Sequence, residues 1–203
     1  MKPRFLGDSY DIVKQSLLRW LASMGPWATH PMFTDSVSSE QVDAYSHLLG
    51  TRVLSREVLT PEDDRDAYLA PARDCEDHVF LDPDTGIRLE PIGGKKAPAY
   101  LFGPELLAIA SARPERLTLV FDQSLARGAE RRQMEGKLST FAEQGVHGVA
   151  YVSHACFVLV GMDSSLVATA FENLMTESRL PDSRFLKAAL QNKARLRTAL
   201  DGR

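Results

Sequence analysis

HVFLDPDTGI (residues 78–87) passes from an unbroken apolar stretch, residues 79–81, straight into Asp82, Pro83, Asp84, Thr85 and Gly86. Three apolar residues without polar alternation fit a strand covered on both faces, as in a parallel sheet flanked by helices. The stretch LTLVFD (117–122) repeats the pattern and again ends on an aspartate, followed by Gln123 and Ser124. Between the two lies GPELLAIASARP (103–114), a helix with proline in its first turn. Strand, helix, strand with short apolar strands argues for an α/β fold with a mostly parallel sheet.

Working outward, Arg4-Phe5-Leu6 reads as a short first strand leading into Gly7-Asp8. DIVKQSLLRWLASM (11–24) has helical apolar spacing, with Asp8 or Ser9 as N-cap and Gly25-Pro26 as its stop. WATHPMFT (27–34) is a short or edge strand. SSEQVDAYSHLLG (38–50) is a helix opened by a Ser38/Gln41 capping box and closed by Gly50. TRVLS (51–55) is a weak strand, and residues 56–77 form an acidic loop with a short helix near 64–70. Residues 88–101, rich in glycine and proline, read as a mobile loop, with 88–98 as a flexible flap beside the strand tip. Residues 128–145 form an amphipathic helix, and 148–161 two strands turning near Ser153-His154. Helices over 164–178 and 182–200 close the chain. The expectation is one α/β domain over 1–203, Rossmann-like, with helices on both faces, an antiparallel edge hairpin and a helical extension over 180–203.

Composition narrows the function classes. With 203 residues the chain can bury a sizeable core. A net charge of -3 gives no global basic field for nucleic acid or anionic membrane, so any nucleic-acid contact has to be local. Cys75 and Cys156 stand far apart without metal-ligand spacing, which fits a reducing cytoplasm. No apolar run approaches a membrane span, and MKPRFLGDSYD carries no apolar signal-type segment. A cytoplasmic protein without a membrane partner is expected.

In open α/β sheets ligands bind beyond the carboxyl ends of the strands. If the strands at 4–6, 79–82 and 117–121 are parallel neighbours, one rim collects Asp8, Asp11, Asp82, Asp84 and Asp122 with Gln123, Ser124 and Arg127. Asp82, Asp84 and Asp8 are then the catalytic candidates. Asp11, Thr85, Gly86, Gln123, Ser124, Arg127 and His154 are the candidate substrate contacts. Each piece also has a plainer reading. DPDTG can be a turn, Gly7-Asp8 a helix cap, Gln123-Ser124-Arg127 a solvated helix entry and His154 a hairpin crest. Three polar strand ends together favour a site, with Arg127 or a divalent ion as the cation that offsets gathered carboxylates.

Two chemistries suit such a rim. A metal-dependent one uses Asp8, Asp82 and Asp84, with Asp11, to hold Mg²⁺, and Glu90 with Lys95 or Lys96 to complete a phosphodiester site. The other rests on a resemblance. An apolar strand ending in Asp82-Pro83, then helix, strand, helix and hairpin over 78–161, resembles the latter half of class I S-adenosylmethionine-dependent methyltransferases. That resemblance implies an Asp/Asn-Pro-Pro-aromatic motif holding a target amino group; here Asp84 and Thr85 replace its last two residues, and Gly7 stands alone where a glycine-rich cofactor loop belongs. The DPDTG tip, with Asp8, Asp11, Gln123, Ser124 and Arg127, is also similar to uncharacterised bacterial and phage proteins with a DPD[NT]G strand end. Taken together, an enzyme acting on nucleic acid or nucleotide is expected, with S-adenosylmethionine or Mg²⁺ as possible cofactors. The alternative is a non-catalytic binding protein on a degenerate Rossmann-like scaffold.

Overall fold

The structure is a computed structural model that describes residues 2–187. Its elements in chain order are α1 (Ser9–Trp20), β1 (Trp27–His30), α2 (Ser39–Leu49), β2 (Arg52–Val53), α3 (Arg65–Arg73), β3 (His78–Leu81), β4 (Gly86–Arg88), β5 (Tyr100–Phe102) and α4 (Gly103–Ala112). They continue with β6 (Thr118–Phe121), α5 (Glu130–Glu143), β7 (His147–Tyr151), β8 (Phe157–Gly161), α6 (Ser164–Ser178) and β9 (Phe185–Lys187). Seven strands form one sheet in the order β2-β1-β3-β6-β8-β7-β9, and β4 with β5 form a small second sheet. The pairs from β2 to β6 are parallel. β8 runs antiparallel between β6 and β7, and β9 antiparallel at the edge. The fold is α/β with a mostly parallel sheet.

Helices cover both faces, and the strand residues divide between them. Val79 and Leu81, with Val120, Val158 and Val160, join the core under α3, α4 and α5. Phe80, with Leu119, Phe121, Phe157 and Leu159, joins the core under α1, α2 and α6. Every residue of β1, β3, β6 and β8 is buried, which is why their sequences show no polar alternation.

Two expected elements are corrected. Pro3–Phe5 is a turn of 3-10 helix, not a strand, and the parallel neighbour of β3 on that side is β1. Three residues after a proline bury too little apolar surface to hold a strand in the sheet. At the other end, Asp182–Arg184 is a 3-10 turn and Phe185–Lys187 a strand on β7, not the start of a helix. Phe185 and Leu186 are buried against the two cores there. The rest of the helix expected over 182–200 lies outside the described residues.

Part of the expected rim gathers, Asp8, Asp11, Asp82, Asp84 and Gln123, but for a different reason. β1 connects to β2 on one side and β3 to β6 on the other, so the strand order reverses between β1 and β3. α1 runs down the sheet and returns through a tight turn into β1, so its first turn, not a strand tip, delivers Asp8 and Asp11 to the carboxyl ends of β3 and β6.

Candidate active site

Asp8 caps α1: its Oδ1 accepts the backbone N–H of Tyr10 at 2.8 Å and of Asp11 at 3.1 Å. Asp11, one turn before Lys14, accepts the Gly7 N–H on Oδ2 at 2.8 Å and the Lys14 ammonium on Oδ1 at 2.8 Å. The same ammonium donates to Asp82 Oδ2 at 2.8 Å, and the Tyr45 hydroxyl donates to that oxygen at 2.6 Å. Asp11, Lys14, Tyr45 and Asp82 are all buried. Lys14 Nζ also stands 4.7 Å from the centroid of the Phe121 ring.

Asp11, Lys14 and Asp82 form the floor of a cavity of about 240 Å³, with Tyr45 behind it. Asp8, Tyr10, Asp11 and Lys14 line it from α1, Asp82, Pro83 and Asp84 from the end of β3, and Phe121 and Gln123 from the end of β6, with Lys2 and Phe5 at the mouth. Asp84, half-buried, pairs with Lys2 Nζ at 3.2 Å. The Gln123 Nε2 is shielded from solvent and has no hydrogen-bond partner among the described residues.

Burial alone lowers the pKa of the Lys14 ammonium, but the Asp82 and Asp11 carboxylates outweigh it and leave the pKa above the usual lysine value. Burial and Asp82 together hold Tyr45 well above the usual phenol range. Both stay protonated at neutral pH: Lys14 is a fixed cation and Tyr45 a fixed donor. Four carboxylates against two ammonium groups leave the cavity lining net negative.

The expected cation partner is therefore corrected. Arg127 is exposed and lines no part of the cavity, and Lys14, absent from the expected set, fills the role. Sequence spacing carries the missed signal: Lys14 shares the i, i+3, i+4, i+7 stripe with the buried Leu17, Leu18 and Leu21. Tyr45 lies in the same way between the buried Val42 and Leu49 of α2. A lysine inside an apolar stripe needs a buried acid, and Asp82 is that acid.

The expected metal set of Asp8, Asp82 and Asp84 does not form a ligand cage. Among the described residues no three His, Cys, Asp or Glu side chains are placed to hold a metal ion. The physical reason lies in the cluster itself, where Lys14 supplies the positive charge between Asp11 and Asp82.

Asp122, Ser124, Thr85 and Gly86 serve a different junction, on the other face of the sheet. Asp122 Oδ1 accepts from Ile87 N at 3.0 Å and from Ser124 Oγ at 2.7 Å, and Oδ2 accepts from Lys137 Nζ at 2.5 Å. Lys137 Nζ also donates to the Ile87 carbonyl at 2.7 Å. Thr85 is tied through its backbone, donating to Ala99 O at 2.7 Å and accepting from Gln123 N at 2.9 Å. A Cβ on Gly86 would lie 2.2 Å from Asp122 Oδ1 and 2.8 Å from Asp122 Cα, and its φ is +131°. The glycine of DPDTG thus lets β4 press onto the end of β6. None of these four residues lines the cavity, and neither does any residue of the expected flap over 88–98. His154 is exposed on the β7–β8 hairpin, its ring 5.7 Å from that of Tyr10.

The rim above β1 does not match a cofactor loop of the kind the methyltransferase resemblance implies. Residues 31–33 after the first true strand are buried and contain no glycine, and Met32 adopts a left-handed φ of 48° there. Compared with known proteins, the chain matches no family model, no curated relative and no solved structure.

Proposed function

We propose that the chain is an enzyme acting on a nucleotide or nucleic-acid base in the cavity between α1 and the ends of β3 and β6. The observation that carries this reading is the buried Asp11–Lys14–Asp82 cluster, backed by the Tyr45 hydroxyl, at the floor of a cavity lined by Phe5, Tyr10 and Phe121. Buried charge is expensive, and at the floor of a cavity, unlike in the Asp122–Lys137 pair on the other face of the sheet, it supplies a fixed field to whatever enters. Aromatic walls suit a planar ring, and the net negative lining keeps phosphate groups outside, so the base end enters.

Within that site the roles divide by engagement. Asp82, committed to Lys14 and Tyr45, positions the floor. Asp84 and Asp8, half-buried and facing the cavity, are the carboxylates suited to accept or hold a substrate proton. The hairpin β7–β8 after α5 supports a scaffold related to methyltransferases, but the loop after β1 does not fit S-adenosylmethionine, and no step is routed through that cofactor.

The test is incubation with free bases, nucleosides and nucleotides, followed by mass spectrometry of the products and thermal-shift measurement. Ligand at a hundredfold over its Kd stabilises by about 2.7 kcal/mol, a visible shift. Turnover that disappears in Asp84→Asn while the melting temperature without ligand holds is the expected result. Binding without turnover would leave a non-catalytic binding protein; neither binding nor turnover would remove the site altogether.

A further inference from the structure

We infer that the group admitted to this cavity carries a positive charge, as an amidinium, ammonium or cationic ring, and that the chain's own Lys2 competes with it for Asp84. The inference rests on the cavity being the functional site and goes further by fixing the charge of its ligand.

Size comes first. Pockets for drug-sized ligands span about 300–1,000 Å³, so a cavity of about 240 Å³ takes one ring or one short amine. Charge comes second. Lys14 is already engaged by Asp11 and Asp82, which leaves Asp8 and Asp84 as the carboxylates nearer the mouth. Asp8 uses Oδ1 to cap α1, and Asp84 meets Lys2.

The third observation is Lys2 itself. Its ammonium stands 3.2 Å from Asp84 Oδ2, with 31% of the lysine side chain and 16% of the aspartate side chain exposed. The pair is partly exposed, more on the lysine side than on the aspartate side, so water reaches the ammonium and it can be exchanged. Lys2 precedes a 3-10 turn at Pro3–Phe5, and Gly7, at a φ of +85°, separates that turn from α1. An ammonium group of the chain thus meets a cavity carboxylate beside the rings of Phe5, Tyr10 and Phe121. Phe5 and Phe121 already meet a cation, Arg4 at 4.8 Å and Lys14 at 4.7 Å from the ring centroids, so rings in this lining do accept positive charge. A cationic ligand exchanges one ammonium for another on Asp84 and can add contact with the rings of the lining.

The experiment compares benzamidine with its neutral isostere benzamide by calorimetry on the full chain at low salt. Benzamidine is expected to bind roughly tenfold or more tightly than benzamide, the difference a hydrogen bond to a charged group makes. Asp84→Asn should remove that preference, and Lys2→Met should tighten benzamidine severalfold while leaving benzamide unchanged. Equal binding of the two probes, no benzamidine binding, or indifference to Asp84→Asn would overturn the inference. Neutral adenine bound in preference to benzamidine would also overturn it, yet leave the nucleotide reading standing. Benzamidine binding that follows Asp84 and Lys2 upholds it even where no nucleotide binds.

Discussion

The Lys14 ammonium lies 2.8 Å from Asp82 Oδ2, joining the first helix to a strand tip 68 residues later in the chain, with both side chains buried. One lysine between two carboxylates leaves a buried cluster with an excess negative charge. Removing the cation and removing one anion are then unequal injuries. Lys14→Met strands Asp11 and Asp82 together and should cost about 3–5 kcal/mol. Asp82→Asn leaves Lys14 paired with Asp11 and keeps an acceptor for Tyr45, so about 1–3 kcal/mol is expected. Urea denaturation of both variants checks the order, and equal losses would refute this account of the cluster.

Asp84→Asn should behave otherwise. Among the described residues its ion-pair partner is Lys2, in a partly exposed pair worth about 1 kcal/mol or less. The melting temperature should move by no more than a few degrees. A large drop would show that Asp84 holds the fold and not a ligand.

Gly86→Ala should be severe, about 2–4 kcal/mol, because the new Cβ meets the backbone and carboxylate of Asp122 at a backbone angle that only glycine adopts easily. Gly93→Ala, with nothing within 4 Å of its Cβ, is the control and should be close to neutral. Chemical denaturation of the pair separates a local clash from a general intolerance of substitution.

Acid should weaken the fold partly through His30. Burial lowers its pKa from 6.5 to about 4. With the folded value below the unfolded one, the neutral ring's contribution is complete above about pH 6.5 and is lost as the pH falls towards 4. That contribution is about 3 kcal/mol. His30→Gln retains a donor for the Tyr68 carbonyl that the ring contacts at 3.1 Å. The variant should show a flatter stability profile between pH 7 and 4 than the native chain. Parallel profiles would exclude His30 as the source.

Alkali acts on the other face. Lys14 and Tyr45 both have raised values in the folded state. Their contribution is whole below about pH 10, where their unfolded counterparts begin to lose protons, and it falls away above that. Tyr45→Phe should remove part of the alkaline decline, read by denaturation midpoints at pH 9 and 11.

How far the sequence reached can be followed residue by residue. β3 and β6 were legible because burial on both faces leaves an unbroken apolar signature. The Ser38/Gln41 box and Gly50 were legible because capping is local chemistry. Residues 4–6 and 185–187 were not, since three residues carry no period and their state depends on distant partners. At the rim, Asp82, Asp84 and Gln123 could be anticipated from the ends of two parallel strands, whereas Asp8 and Asp11 arrive from the first turn of α1 and not from the strand expected at 4–6. The identity of the cation could not be read from loop residues such as Arg127, because the packing of α1 against β3 chose Lys14. Asp122, Ser124 and Gly86 looked like site residues for a related reason: a polar strand end can bind a ligand or bind another strand, and local composition does not separate the two.

The parallel pairing of β4 with β5 closes the base of the segment between them, with Gly86 opposite Tyr100 and Arg88 opposite Phe102, while Lys137 holds the Ile87 carbonyl. Gly93 and Gly94 are exposed at its far end, away from the cavity lining. Lengthening such a loop costs only about 0.6 kcal/mol for each doubling. The protein therefore carries a ready attachment point: a reporter domain or immobilisation tag spliced between those two glycines would hang from a clamped base and leave the cavity clear for ligand.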